Sequence, residues 1–225
     1  MKKLWVPGVL CTLAAVTGAR GSMITSLGTA GGEQVSASAN FNMGAGTLTI
    51  TVDNLTPYTA DAAQLLTGIT FSLSNGSTAI TSAGLSATGK ERTVSDDGTY
   101  WDSGVKNLSW ELLSGTTMQV DFHPDARDAL IGPADGESAW QAEEYDANGS
   151  IMGNSGHNPF GAESATFTLT NPAFAADTAV SGVTFLWGTS LSQASVVTPY
   201  LAVPEPASIG VLGLGTMMLL RRRRR

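Results

Sequence analysis

Thr47-Leu48-Thr49-Ile50-Thr51-Val52 is the stretch on which the fold turns. Apolar and small polar residues alternate, so an extended chain carries Leu48, Ile50 and Val52 on one face and threonines on the other, the pattern of a half-buried strand. The same period of two recurs at Ile69, Phe71 and Leu73 against Thr70 and Ser72, and at Phe167 and Leu169 between Thr166, Thr168 and Thr170. It returns at Leu108, Trp110 and Leu112, at Met118, Val120 and Phe122, and at Val183, Phe185 and Trp187, with 35–41 a weaker member. Turn signals separate these runs: Asn75-Gly76, Asp97-Gly98, Ser114-Gly115, Asn148-Gly149 and Asn171-Pro172. The pattern predicts an all-β body, a single two-sheet β-sandwich of jelly-roll or Greek-key type. Helical periodicity is confined to two turns over 60–66, starting near Thr59 or Asp61, and one short turn over 125–130. Segments 132–138 and 149–163 read as exposed loops, and the longer is the first place to expect a binding surface.

The two ends of the chain carry a different signal. Lys2 and Lys3 precede an apolar stretch over 4–16, and the small residues Thr17, Gly18 and Ala19 follow, which is the outline of a secretory signal peptide. Cleavage fits after Ala19 or after Ser22, so the segment is taken as 1–22; an uncleaved N-terminal anchor is the alternative. Cys11, inside this segment, follows Leu10 rather than the small residue a lipoprotein site needs. At the other end Pro204, Glu205 and Pro206 precede an uncharged apolar run over 207–220, and then Arg221, Arg222, Arg223, Arg224 and Arg225. Fourteen residues make about 21 Å of helix against a hydrocarbon core of about 30 Å, so the run is a short membrane span that needs snorkelling or local thinning. The arginines are a stop on the cytoplasmic side, which places the domain of residues 23–203 outside the membrane.

Between Met23 and Val203 four basic residues, Lys90, Arg92, Lys106 and Arg127, face eighteen acidic ones, a net charge of −14. Such a surface repels nucleic acid and anionic lipid, which excludes nucleic acid as a partner. With Cys11 in the leader the body has no cysteine, so burial rather than disulfides must stabilise it. About 180 residues suffice for one core and predict a single domain.

The tail, Val203-Pro204-Glu205-Pro206, then 207–220, then Arg221 to Arg225, resembles the PEP-CTERM sorting tail of exported bacterial proteins. The resemblance implies translocon-dependent export, an inner-membrane-anchored precursor, and cleavage at or near Pro204-Glu205-Pro206 by an exosortase, a multi-pass cysteine-dependent membrane transpeptidase. It implies a setting among exopolysaccharides at the cell surface or in the extracellular matrix, and a structural, non-enzymatic body. The body is also similar to exported proteins that carry this tail, through His157-Asn158-Pro159-Phe160, Ala165-Thr166-Phe167-Thr168-Leu169 and Val180-Ser181-Gly182-Val183-Thr184-Phe185.

Candidate ligand sites in the body compete with plainer readings. Asp146 and Asn148 before Gly149 alternate like a calcium loop, yet Ser155 stands where a bidentate glutamate belongs, and a hairpin turn with Asn148 and Gly149 at positive φ is the favoured reading. Asp96, Asp97 and Asp102 around Gly98 form a second acidic group of the same ambiguity. Calcium is the only cofactor these residues suggest. Glu143 and Glu144 are adjacent, so on a strand they face opposite sides and cannot act as a glycosidase pair. His123 and His157 have no third ligand at zinc spacing and no nucleophile elbow near them. Trp110 and Trp187 fall on apolar faces; Trp101 and Trp140 lie beside acidic loops, where an exposed ring can stack on a sugar. Sequons such as Asn54-Leu55-Thr56 are expected by chance in a chain rich in Ser, Thr and Asn. The reading is an exported structural protein, with a secreted carbohydrate- or calcium-binding module as the alternative.

Overall fold

The structure, a computed structural model, describes residues 20–75, 84–113, 118–122, 128–135, 144–145, 150–152, 154, 158–189, 195–196 and 201–203. The described strands are β1 Arg20–Ala30, β2 Glu33–Gly44, β3 Thr47–Asn54, β4 Leu66–Leu73, β5 Gly84–Val94, β6 Tyr100–Asp102 and β7 Lys106–Asn107. They continue with β8 Trp110–Leu113, β9 Met118–Phe122, β10 Leu130–Ile131, β11 Phe160–Thr170, β12 Val180–Trp187, β13 Ser195–Val196 and β14 Leu201–Val203. The body is mostly β, as the alternation requires. Among the described residues the only helical element is a 3-10 turn, Ala62–Gln64. It takes the place of the two turns expected over 60–66: Asp61 accepts from the Ala63 N–H, Gln64 reaches back to the 60 and 61 N–H groups, and the chain enters β4 at Leu66. The turn expected over 125–130 fails at its end, because Asp128 and Ala129 are not helical and Leu130 belongs to β10; residues 125–127 lie outside the described residues.

All fourteen strands form one mixed hydrogen-bonded sheet rather than the two separate sheets expected. Its path runs β13-β12-β4-β10-β11-β3-β2-β1-β14, with β5 also on β11 and the β8–β9 pair on β4. The short β10 makes the network continuous: Leu130 pairs antiparallel with Leu66 of β4, and Leu130 and Ile131 pair parallel with Gly161 and Ala162 of β11. Strands far apart on this path nevertheless touch. Phe41 of β2 meets Phe71 of β4 edge to face at 5.3 Å, and Trp110 of β8 meets Phe167 of β11 at 4.7 Å. The sheet therefore curls around one main core in which Leu48, Ile50, Phe167, Leu169, Phe185 and Trp187 are buried.

The outer side of β11, β3 and β2 shows what the alternation leaves to solvent. Thr166, Thr168 and Thr170 lie opposite Thr51, Thr49 and Thr47, and Asn40 and Asn42 of β2 follow beside Thr51 and Thr49. A second buried cluster sits at one end of the molecule, around Leu65, Val94, Ile131, Tyr145, Ile151 and Phe160. It corrects the reading of 149–163 as an exposed loop: Ile151 and Phe160 are buried, and β11 already begins at Phe160. Gly98 shows why the turn before β6 needs glycine. Its φ is +85°, and a Cβ there would lie 2.2 Å from the Tyr145 carbonyl oxygen. The sheet starts at Arg20, which pairs with Met43, so a leader removed after Ala19 leaves β1 whole whereas removal after Ser22 takes its first three residues.

Candidate functional site

Two places on the body bear on function: the edge where the tail leaves the sheet, and a charged cluster at the bulge of β11. At the edge, β14 pairs antiparallel with β1, Leu201 opposite Thr25, Ala202 opposite Ile24 and Val203 opposite Met23. The next residue in sequence is Pro204, which has no N–H to continue the ladder. Pro204, Glu205 and Pro206, the run over 207–220 and Arg221 to Arg225 lie outside the described residues. Among the described residues no helix is long and apolar enough to cross a membrane.

The cluster is built on Arg92, a buried position of β5 that carries a charge and is 3% exposed. Its Nε and Nη2 donate to the two oxygens of Asp102 at 2.7 and 2.8 Å, a bidentate pair, and Nη2 also donates to Glu163 at 3.1 Å. Nη1 donates to the Tyr145 hydroxyl at 2.9 Å, which in turn donates to the Gly132 carbonyl at 2.6 Å. The guanidinium lies over the Tyr100 ring, Cζ 3.9 Å from its centroid. Burial alone would lower the Arg92 pKa, but the hydrogen bonds it donates to Asp102 and the influence of Tyr145 outweigh it and the value is raised. Burial likewise pushes the Tyr145 phenol up, against the opposing pull of Arg92, so it remains a donor. Glu163 reaches this cluster from a non-glycine backbone with φ of +60°, where β11 shifts register against β5 between Gly161 and Ala165. Such a conformation costs about 1 kcal/mol or more and persists because the surrounding contacts hold it.

A cavity of about 310 Å³ opens beside the cluster, bounded by Thr88 and Lys90 of β5, Asp102 of β6, and Glu163, Ser164 and Thr166 of β11. Val105, 70% exposed, stands at its margin.

The residues singled out in the sequence divide sharply. Asp102 is held by Arg92, and Asp97 accepts from the Thr99 N–H and hydroxyl at 3.1 and 2.6 Å, which lowers its pKa. Asp96 is exposed. The geometry does not gather these carboxylates, and among the described residues no group of three His, Cys, Asp or Glu side chains is placed to hold a metal ion. Trp101 is 60% exposed on β6 and, as the neighbour of Asp102, faces away from the Arg92 cluster. Asp146, Asn148, Trp140, His123, His157 and Glu143 lie outside the described residues; Glu144 is exposed and bridges Asp135. Sequence reasoning missed Arg92, Glu163 and Tyr145. The available signal was scarcity, because each of four basic residues among eighteen acids is a candidate for tight pairing.

No curated protein matches the chain, and no solved structure does. One family model matches, the PEP-CTERM protein-sorting motif, over residues 202–225. Its first two residues, Ala202 and Val203, belong to β14 and are paired with β1. The chain therefore ends in the C-terminal sorting signal of exosortase substrates, and that signal begins inside the body's own sheet.

Proposed function

We propose that the protein is an exported, non-enzymatic component of the cell surface or extracellular matrix, delivered as an inner-membrane precursor and released from its tail by an exosortase. The observation that carries this reading is the sorting motif over residues 202–225. In this account residues 1–22 are the export leader, the run over 207–220 concentrates the substrate in the membrane plane, and Arg221 to Arg225 stop translocation. Pro204 and Pro206 hold Glu205 in extended backbone for the enzyme. The body then serves as a stable acidic filler among exopolysaccharides, its charge of −14 keeping copies apart. Mass spectrometry of the protein's C-terminus tests the reading: an end at or near 204–206 is expected in cells that contain the exosortase and an intact Arg225 in cells that lack it. Intact Arg225 in both would overturn it.

A ligand-binding module is the second reading, favoured by the cavity beside Arg92. Calcium is its weaker form, because the Asp102 carboxylate is already taken by Arg92. Adding calcium to about 1 mM is expected to leave the melting temperature unchanged, and a rise of several degrees would restore that form.

A further inference from the structure

We propose that the cavity between β5 and β11 binds a neutral, hydroxyl-rich ligand, a sugar unit of an uncharged polysaccharide. This deepens the matrix reading above and rests on it. Charge decides between ligand classes. Arg92 and Lys90 balance Asp102 and Glu163 at the cavity, and the nearby Lys106 and Glu91 pair with each other, so the site has no net charge in a body of net −14. Arg92 is committed to both carboxylates, so an anionic ligand finds Lys90 alone, offset by Asp102 and Glu163 in a body of net −14, and a metal ion would have to displace Arg92 from a bidentate carboxylate.

Hydrogen-bonding capacity then selects hydroxyl groups. Thr88, Ser164 and Thr166 supply side chains that both donate and accept, while Asp102 and Glu163 only accept. Sugar hydroxyls also do both and satisfy either kind of partner. Arg92 fixes the two carboxylates before any ligand arrives, and the positive φ of Glu163 aims one of them into the cluster. Val105 offers an exposed apolar surface for the C–H face of a ring. The volume, about 310 Å³, is at the small end for ligand sites and suits about one or two sugar units rather than a long segment.

Beyond the cavity the rest of a chain would meet an uncharged floor. Thr88, Thr166, Thr51 and Asn40 lie in one row across β5, β11, β3 and β2, and Ser86, Thr168, Thr49 and Asn42 in the next. Strand twist of about 20–25° per neighbour takes such rows out of register with a flat crystalline surface, whereas a flexible polymer can follow them.

The test uses the full chain in detergent micelles, offered immobilised neutral gluco-, galacto- and manno-oligosaccharides beside uronic-acid oligosaccharides. Retention of a neutral glycan and not of the uronic acids is expected, with affinity falling about tenfold or more in the Thr88→Val/Thr166→Val double variant. Val105→Asp, at an exposed rim position, is expected to weaken binding in a protein that melts as the wild type does, and Trp101→Ala to leave binding unchanged. Retention of no neutral glycan, equal or better retention of uronic acids, or binding abolished by Trp101→Ala and untouched by the cavity variants would each overturn the proposal. A protein whose tail is cut in cells but which retains no glycan would sink this site and leave the sorting account standing. Glycan retention with an uncut tail would do the reverse.

Discussion

Along β11 the register against β3 runs unbroken from Ser164 to Thr170, whereas between Gly161 and Ala165 the same strand slips against β5 and carries Glu163 at positive φ. The regular part buries Ala165, Phe167 and Leu169 against Leu48, Ile50 and Val52 and turns threonines outward. The irregular part buries an arginine and surrounds it with two carboxylates and two tyrosines. The first region gains stability from removing apolar surface from water, roughly 25 cal/mol for each Å². The second spends desolvation energy on a charge and recovers it through geometry, which leaves little net gain and a fixed set of polar groups. Regular alternation supplies the stability of this body, and the break in it supplies a place where chemistry can be presented.

Phe167→Ala should have the largest effect, because the ring is fully buried and lies edge to face with Trp110. A loss of about 3–5 kcal/mol is expected in denaturant unfolding, and a loss under about 1 kcal/mol would break the comparison. Arg92→Met keeps much of the stem and removes the guanidinium, leaving Asp102 and Glu163 without their cation. Their side chains are 26% and 51% exposed, so solvent takes over part of the role and the expected cost is about 1–3 kcal/mol, below that of a pair buried on both sides. A cost as large as that of Phe167→Ala would show the charged region to be a second stabilising core.

Asp128 sharpens the comparison through pH. Burial raises its pKa above 3.8, against the hydrogen bond from the Ser109 N–H. The folded state thus holds the proton more tightly, so the stability from this group is fully present below 3.8 and is lost as pH rises through the higher folded value. Asp128→Asn should remove that decline from melting curves recorded across this window, and an unchanged pH profile would argue against the raised value. Thr51→Val, on the outer face of the regular region, should change stability by no more than about 0.5 kcal/mol. A larger change in the same unfolding assay would mean that the outward threonines contribute to the fold.

Legibility followed the same division. β3, β4, β11 and β12 could be read because one face is apolar at a period of two and the signal needs no partner. β2 looked weak because its inner positions include the small Ala37 and Ala39, although it is a strand of twelve residues. β1 and β5 were not anticipated: glycine and polar residues dilute the pattern, and an inward position of β5 is Arg92 itself. The partners of Arg92 lie 10, 53 and 71 residues away, and nothing in a local window brings Asp102, Tyr145 and Glu163 together. The tail was readable for the opposite reason, since its parts are contiguous and their order alone carries the message.

The pairing of β14 with β1 sets a limit of reach. Val203 is tied to the sheet opposite Met23, and only Pro204, Glu205 and Pro206 separate it from the start of the apolar run. Even at full stretch three residues extend about 10 Å. Whatever grips the tail must therefore work flush against the folded rim, with no leash to swing the globule aside, and the contour of that rim becomes part of what a processing enzyme has to accommodate.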